Sequence, residues 1–199
     1  MSSTNRSNAR DSHISDYYVT PQKAIREFLT EFCKDENVDL STQEHFILDP
    51  CAWWDKDNDM SYPAVLFEFG ADYNKIVTCD IREDSPAKFH YDFIMHPFVD
   101  VYDIVITNPP FNEAQKIIEK ALSCTKDWWY VIMLLRLNYF WWKIRQNFWK
   151  KNMPIRAYIH NRRMSFTPDW KTDSVEYMHC IWRKGESTKE TKMKIIYNF

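Results

Sequence analysis

The sequence predicts an α/β protein with a mostly parallel central sheet of about seven strands and helices on both faces. Three observations predict it. Candidate strands and helices alternate along the chain, the order of a doubly wound sheet. One strand, Tyr130 to Leu137 (YVIMLLRL), shows no polar alternation, as a central strand buried on both faces should. Three strands end in polar, turn-forming chemistry: Asp49-Pro50, Asp80, and Asn108-Pro109-Pro110-Phe111. In a doubly wound sheet all three fall at the carboxyl edge, where ligands bind.

Each element has its own signal. Thr20 reads as the N-cap of a first helix, QKAIREFLTEFCK, with Pro21 at its first position. Ile25, Phe28, Leu29 and Phe32 recur at helical spacing and form its apolar stripe. Phe46 to Leu48 is a short buried strand. Ser61 to Phe69 is a helix stopped by Gly70. Lys75 to Cys79 is a strand ending at Asp80, and Tyr91 to Ile94 a short third strand. Tyr102 to Thr107 (YDIVIT) is a strand that runs into Asn108-Pro109-Pro110-Phe111, and Asn112 to Ser123 is an amphipathic helix. After the central strand come a helix around Lys143 to Lys150 and two last strands, Ile155 to Ile159 and Glu176 to Trp182.

Composition excludes several classes. No apolar run approaches the roughly 18 residues that span a membrane, so no membrane partner is expected. The polar start, MSSTNRSNARDSHISD, lacks the apolar core of a secretory signal. Residues 1–16 read as a flexible tail and 17–199 as one domain. The formal net charge of -2 gives no global polybasic signal, which leaves only a local basic patch for nucleic acid. Five scattered cysteines without a C-x-x-C pair fit reduced core thiols and a cytoplasmic setting. His90, His96, His160 and His179 lack metal spacing and read as structural, so no metal site is expected.

The sharpest chemical signal is DIVITNPPF, Asp103 to Phe111. Its residue types suit a planar amino group as substrate. The lone pair of an exocyclic amine is delocalised into its ring, so the nitrogen is a poor nucleophile. Two acceptors aimed at its N–H bonds favour tetrahedral character and return electron density to nitrogen. The Asn108 side-chain oxygen is one. The Pro109 carbonyl is the other, its direction fixed by the proline rings of Pro109 and Pro110. Phe111 offers a flat face to the base. Such a site works by positioning and electrostatics, and a base in a duplex must be flipped out to reach it.

Here the sequence resembles a family. Strand-terminal [D/N/S]-P-P-[Y/F] is similar to the catalytic signature of S-adenosylmethionine-dependent amino-methyltransferases, chiefly DNA N6-adenine methyltransferases. The likeness extends along most of the chain, and is nearest to small bacteriophage-type members, in which case the setting is the host cytoplasm. It implies a Rossmann-like class I methyltransferase fold with S-adenosyl-L-methionine as cofactor and DNA, or alternatively RNA, as partner. No large separate target-recognition domain is expected. YYVTPQKAIREFL resembles the first cofactor motif, which assigns Tyr18, Thr20 and Pro21 to cofactor binding; Tyr17-Tyr18 could equally pack the first helix. FILDPCA resembles the strand motif that contacts the methionine part, which assigns Asp49, Pro50, Cys51 and Ala52. Asp80, followed by Ile81, corresponds to the acid on the ribose hydroxyls, as in other Rossmann-like folds. Asp92 matches a position near the adenine, or is a surface turn. Asn108 touches both cofactor and substrate. HNRRMSFTPDWKTDS, His160 to Ser174, resembles a stretch of phage-type members; its Arg162-Arg163 either hold phosphates or form a solvated pair. Two other functions fit the same residues: methylation of RNA adenine or of a protein glutamine amide, and an inactive nucleic-acid-binding relative.

One feature departs from the family. The chain has 2 glycines, where average usage of about 7% would give about 14, and 9 tryptophans. Six of these form doublets: Trp53-Trp54, Trp128-Trp129 and Trp141-Trp142. The doublets and Trp170 stand where a cofactor loop or an element-to-element turn wants glycine. Trp149 and Trp182 do not. Both anomalies have one cause if the seven codons are UGA, which some bacterial lineages and their viruses read as glycine. If the tryptophans are real, the cofactor loop is blocked or remodelled.

Overall fold

The computed structural model describes residues 19–42, 44–52, 59–97, 99–141, 143–166 and 173–197. The expectations placed on residues 1–16, Tyr18, Trp53, Trp54, Trp142 and Trp170 lie outside these.

Eight strands form one sheet: β1 (Ile47–Asp49), β2 (Ile76–Asp80), β3 (Phe89–His90), β4 (Tyr102–Thr107), β5 (Thr125–Arg136), β6 (Arg156–His160), β7 (Tyr177–Arg183) and β8 (Lys192–Ile196). Their spatial order is β3-β2-β1-β4-β5-β7-β6-β8. All neighbours are parallel except at β7, which runs antiparallel to both β5 and β6. From β1 the chain builds outward to β2 and β3, then crosses back to β4 on the other side of β1. The sheet therefore has its switch point between β1 and β4, where a crevice opens at the carboxyl ends.

Alternation along each strand splits the core into two layers. Ile104 and Ile106 of β4 and Tyr130 and Ile132 of β5 face one side. There they meet α1 (Gln22–Glu36) through Ile25, Phe28, Leu29 and Phe32, and α2 (Ser61–Glu68) through Tyr62, Val65 and Leu66. Val105, Val131, Met133 and Leu135 face the other side. They meet α3 (Ala114–Cys124) and α4 (Gln146–Lys151), the latter through Phe148 and Trp149. Burial of each such side chain stabilises by roughly 1.5–3 kcal/mol, and both faces of β4 and β5 contribute, so this pair anchors the fold.

Several expectations change. Among the described residues the strands number eight, not about seven. The addition is β8, a lysine-rich edge strand (KMKII) whose exposed side chains hide it from an apolar-run search. The third strand lies at Phe89–His90, and the Tyr91 to Ile94 segment instead enters a 3-10 turn, Phe93–Met95. Asp92 explains the shift, because its side chain accepts from the Ile94 amide and caps that turn. Thr20 does not cap α1: Pro21 takes the N-cap position and no side chain closes it. The expected helix around Lys143 to Lys150 opens as a 3-10 turn, Lys143–Arg145, and becomes α4 only from Gln146. Strand β5 begins at Thr125, five residues before Tyr130, so Lys126 to Trp129 is strand, not turn. Within it Trp128 has φ 68, and Trp129 is not among the positive-φ residues. None of the five cysteines, all among the described residues, forms a disulfide, and Cys79, Cys124 and Cys180 are buried.

Candidate functional site

The ends of β1, β2 and β4 converge at the switch point, and hydrogen bonds lock them. Asp49 ends β1 and is 1% exposed. Its Oδ1 accepts from the Thr107 hydroxyl at 2.6 Å and from the Cys51 amide at 3.3 Å. The Ala52 amide donates to the Cys79 carbonyl at 2.8 Å. The first contact ties the β1 loop to the end of β4, and the last ties it to β2. Burial pushes the Asp49 carboxyl up to about 7, against the bonds from Thr107 and Cys51 that favour its charge.

Asp80 ends β2 and is buried. Its Oδ1 accepts from the Arg82 amide at 2.9 Å, and its Oδ2 meets Arg82 Nη2 at 3.1 Å. Beside it opens a cleft of about 190 Å³, lined by Pro50, Cys51, Asp80, Ile81 and Asp92 among the expected residues. Tyr91, Phe93, Ile94, Pro110, Asn112, Glu113 and Ile117 complete the wall. Pockets that enclose a whole small molecule run roughly 300–1,000 Å³, so this one suits a nucleoside-sized part of a ligand. The apolar wall could have been found only by knowing that Tyr91 to Ile94 follows an edge strand at the same sheet edge. Asp92 caps a surface turn and also lines the cleft.

Asn108 and Pro109 follow β4 and are buried, whereas Pro110 reaches the cleft. The motif thus stands at the switch point, with its third residue on the wall that Asp80 shares. Phe111 is 9% exposed and packs with Ala24, Leu134, Met164 and Tyr177. The Arg136 guanidinium, at the end of β5, lies 4.4 Å from its ring centroid. Sequence reasoning missed Arg136, because a charge ending YVIMLLRL looks like a strand boundary and nothing more.

The other expected residues sit apart from the cleft wall. Thr20 is buried beneath the entry to α1 and Pro21 is its N-cap. Ala52 and Asp49 brace the loop from below. Arg163 pairs with Glu176 at 3.2 Å on the surface, an exposed pair worth about 0–1 kcal/mol. Arg162 is exposed and acts electrostatically on Glu27 of α1. Between α2 and the far strands, the Tyr62 hydroxyl lies 2.9 Å from His179 Nε2, and His179 Nδ1 lies 2.8 Å from His160 Nε2. Burial lowers both histidines, His160 to about 4. Among the described residues no group of His, Cys, Asp and Glu is placed to hold a metal, and no helix is long and apolar enough to cross a membrane.

No protein-family model matches this chain, and no curated protein matches its sequence. Solved structures do share its fold. A Listeria monocytogenes protein, provisionally described as a class I S-adenosylmethionine-dependent methyltransferase, superposes with TM-score 0.56 at 14% identity, over 89% of this chain and 65% of its own. A Pyrococcus horikoshii protein, provisionally described as an RNA methyltransferase, gives 0.55 at 14% identity over 88% and 90%. The M protein of the type I restriction enzyme EcoKI gives 0.55 at 12% identity over 85% and 44%. The chain thus spans just under two thirds of the first of these and less than half of the last. The fold is that of the class I methyltransferases.

Proposed function

We propose that this chain transfers a methyl group from S-adenosylmethionine to the N6 amino group of adenine in DNA. The observation that carries the reading is the position of Asn108-Pro109-Pro110-Phe111: it follows the strand at the switch point, and Pro110 walls the same cleft as Asp80. The donor set fits the cofactor. Asp80 supplies an acceptor for ribose hydroxyls, shared with Arg82, and Ile81, Phe93 and Ile94 supply apolar surface for a flat ring. When bound, S-adenosylmethionine supplies a methyl group on a sulfonium centre. The chain's own residues do the rest. Asn108 and Pro109 accept the two amino N–H bonds and raise the electron density of the nitrogen. The Asp49 bonds to Thr107 and Cys51 keep the catalytic loop and the cofactor loop in register.

A radiolabelled methyl-transfer assay on adenine-containing DNA tests this, run on the chain and on its Trp53→Gly, Trp54→Gly variant. Label should appear in DNA as N6-methyladenine. Asn108→Ala should lower the rate at least a hundred-fold, the usual scale for losing one acceptor of a developing charge. Label that persists in Asn108→Ala refutes the assignment. The likeness to the Pyrococcus protein favours RNA as the second substrate to try. Label in RNA and none in DNA selects it.

A further inference from the structure

Phe111 is the stacking surface in the function proposed above, yet little of either ring face is open. The side chain is 9% exposed. The Tyr177 ring stands 6.0 Å away, tilted by 39°. The guanidinium carbon of Arg136 lies 4.4 Å from the ring centroid, within stacking distance. A base cannot take that face while Arg136 holds it. Arg136 is also secured from behind. It stands opposite Tyr177 in the β5–β7 register and hydrogen-bonds the Tyr177 side chain, whose hydroxyl donates to Asp173 Oδ2.

A guanidinium is planar, delocalised and weakly hydrated, so it can trade places with a nucleobase on an aromatic face. It is also a permanent cation. Once displaced it needs an anionic partner, and the backbone that delivers a flipped base brings phosphates to the same edge. We infer that Arg136 keeps the place of the target base on Phe111 in the free protein and turns to a backbone phosphate when the base enters. This rests on Phe111 as the surface for an adenine-type base. It makes Arg136 a substrate-binding residue and couples base entry to backbone grip.

The test is DNA binding as a function of salt. A fluorescein-labelled adenine-containing duplex is the probe, with the parent protein, Arg136→Ala and Arg136→Lys. Each phosphate contact adds about 0.9 to the slope of log affinity against log salt. Arg136→Ala should therefore reduce the slope by about one and raise KM for DNA roughly ten-fold, with kcat less affected. Arg136→Lys should keep the slope. If the alanine variant does not fold, Arg136→Gln repeats the measurement, because it retains a donor for Tyr177 but no charge. An unchanged slope in the uncharged variant, or no binding by the parent protein, overturns the inference. Methyl transfer read in parallel separates it from the proposed function. A lowered slope without transfer, in the chain and in its Trp53→Gly, Trp54→Gly variant alike, leaves Arg136 standing and sinks the methyltransferase reading. Transfer to DNA with an unchanged slope does the reverse.

Discussion

Asp49 sits where three strand ends meet, and its protonation is coupled to folding. Burial raises its folded-state pKa to about 7, above the ordinary 3.8. Its contribution to stability is therefore fully present below about 4 and is lost as pH rises through about 7. His160 acts in the opposite sense. Its pKa is lowered from 6.5 to about 4, so its contribution is present above 6.5 and is lost as pH falls toward 4. His179, lowered by burial and by His160, adds to the second effect. The two trends oppose each other in mildly acidic solution. Asp49→Asn removes the first alone. Its melting temperature should fall more steeply than the parent's as pH drops from 6.5 to 4, because in the parent Asp49 opposes the two histidines over that range. Melting curves across this range check it, and a parent profile parallel to that of Asp49→Asn refutes it. The sequence singles out Asp49 because Asp-Pro ends a strand. Its role as a brace was not legible there, because Thr107 lies 58 residues away and only the β1–β4 pairing brings them together. Arg136 was missed for the same kind of reason: stacking on Phe111 belongs to the pairing of sheet elements and not to either segment.

At the scale of elements, strand β5 holds the clearest conflict between residue and conformation. Trp128 has φ 68, is 60% exposed, and donates its amide to the Lys184 carbonyl at 2.8 Å, so the backbone is held there by β7. A left-handed conformation costs a non-glycine residue about 1–2 kcal/mol. The side chain recovers little: at this exposure, the Arg183 guanidinium 5.9 Å from the ring is worth about 0.5 kcal/mol. Trp128→Gly should therefore raise stability by about 1 kcal/mol, after glycine's greater entropy in the unfolded chain is deducted. Thermal melts of the two proteins decide it, and an unchanged or lower midpoint counts against strain at this site. The elements themselves were legible where period and length were strong. Strands β1, β2, β4, β6 and β7 and helix α1 fall within about two residues of their predicted bounds. The misses cluster at the margins of the sheet. Strand β3 has two exposed residues and β8 alternates lysine with apolar side chains, so neither offers the buried run by which a strand is recognised.

For the whole molecule, the question is why a fold so dependent on turns has so few glycines. Both glycines present are in left-handed conformations: Gly70, after α2, has φ 92, and Gly185, after β7, has φ 85. Among the described residues three others have positive φ: Asn37, Asp100 and Trp128. Asn and Asp tolerate this region through local hydrogen bonds, whereas a tryptophan there is an outlier. The two tryptophans that sit at ordinary amphipathic positions behave differently. Trp182 is 3% exposed and its indole N–H donates to the Asn152 carbonyl at 2.7 Å. Trp149 is 8% exposed and packs its ring against Phe140 and Phe148. Trp129 is half-buried against His45 and extended, so its backbone makes no demand for glycine. Reassigned UGA codons account for the glycine deficit, the doublets and the Trp128 backbone together. The prediction is specific: UGA at Trp53, Trp54, Trp128, Trp129, Trp141, Trp142 and Trp170, and UGG at Trp149 and Trp182. Peptide masses of the protein made in its own host should then carry glycine at those seven positions. The exposed Trp128 side chain would vanish from β5, while the buried Trp149 and Trp182 stayed. UGG at the seven positions ends the explanation. In that case two consecutive tryptophans follow Ala52 in the sequence, and calorimetry with S-adenosylmethionine should show weaker binding for the chain as written than for its Trp53→Gly, Trp54→Gly variant.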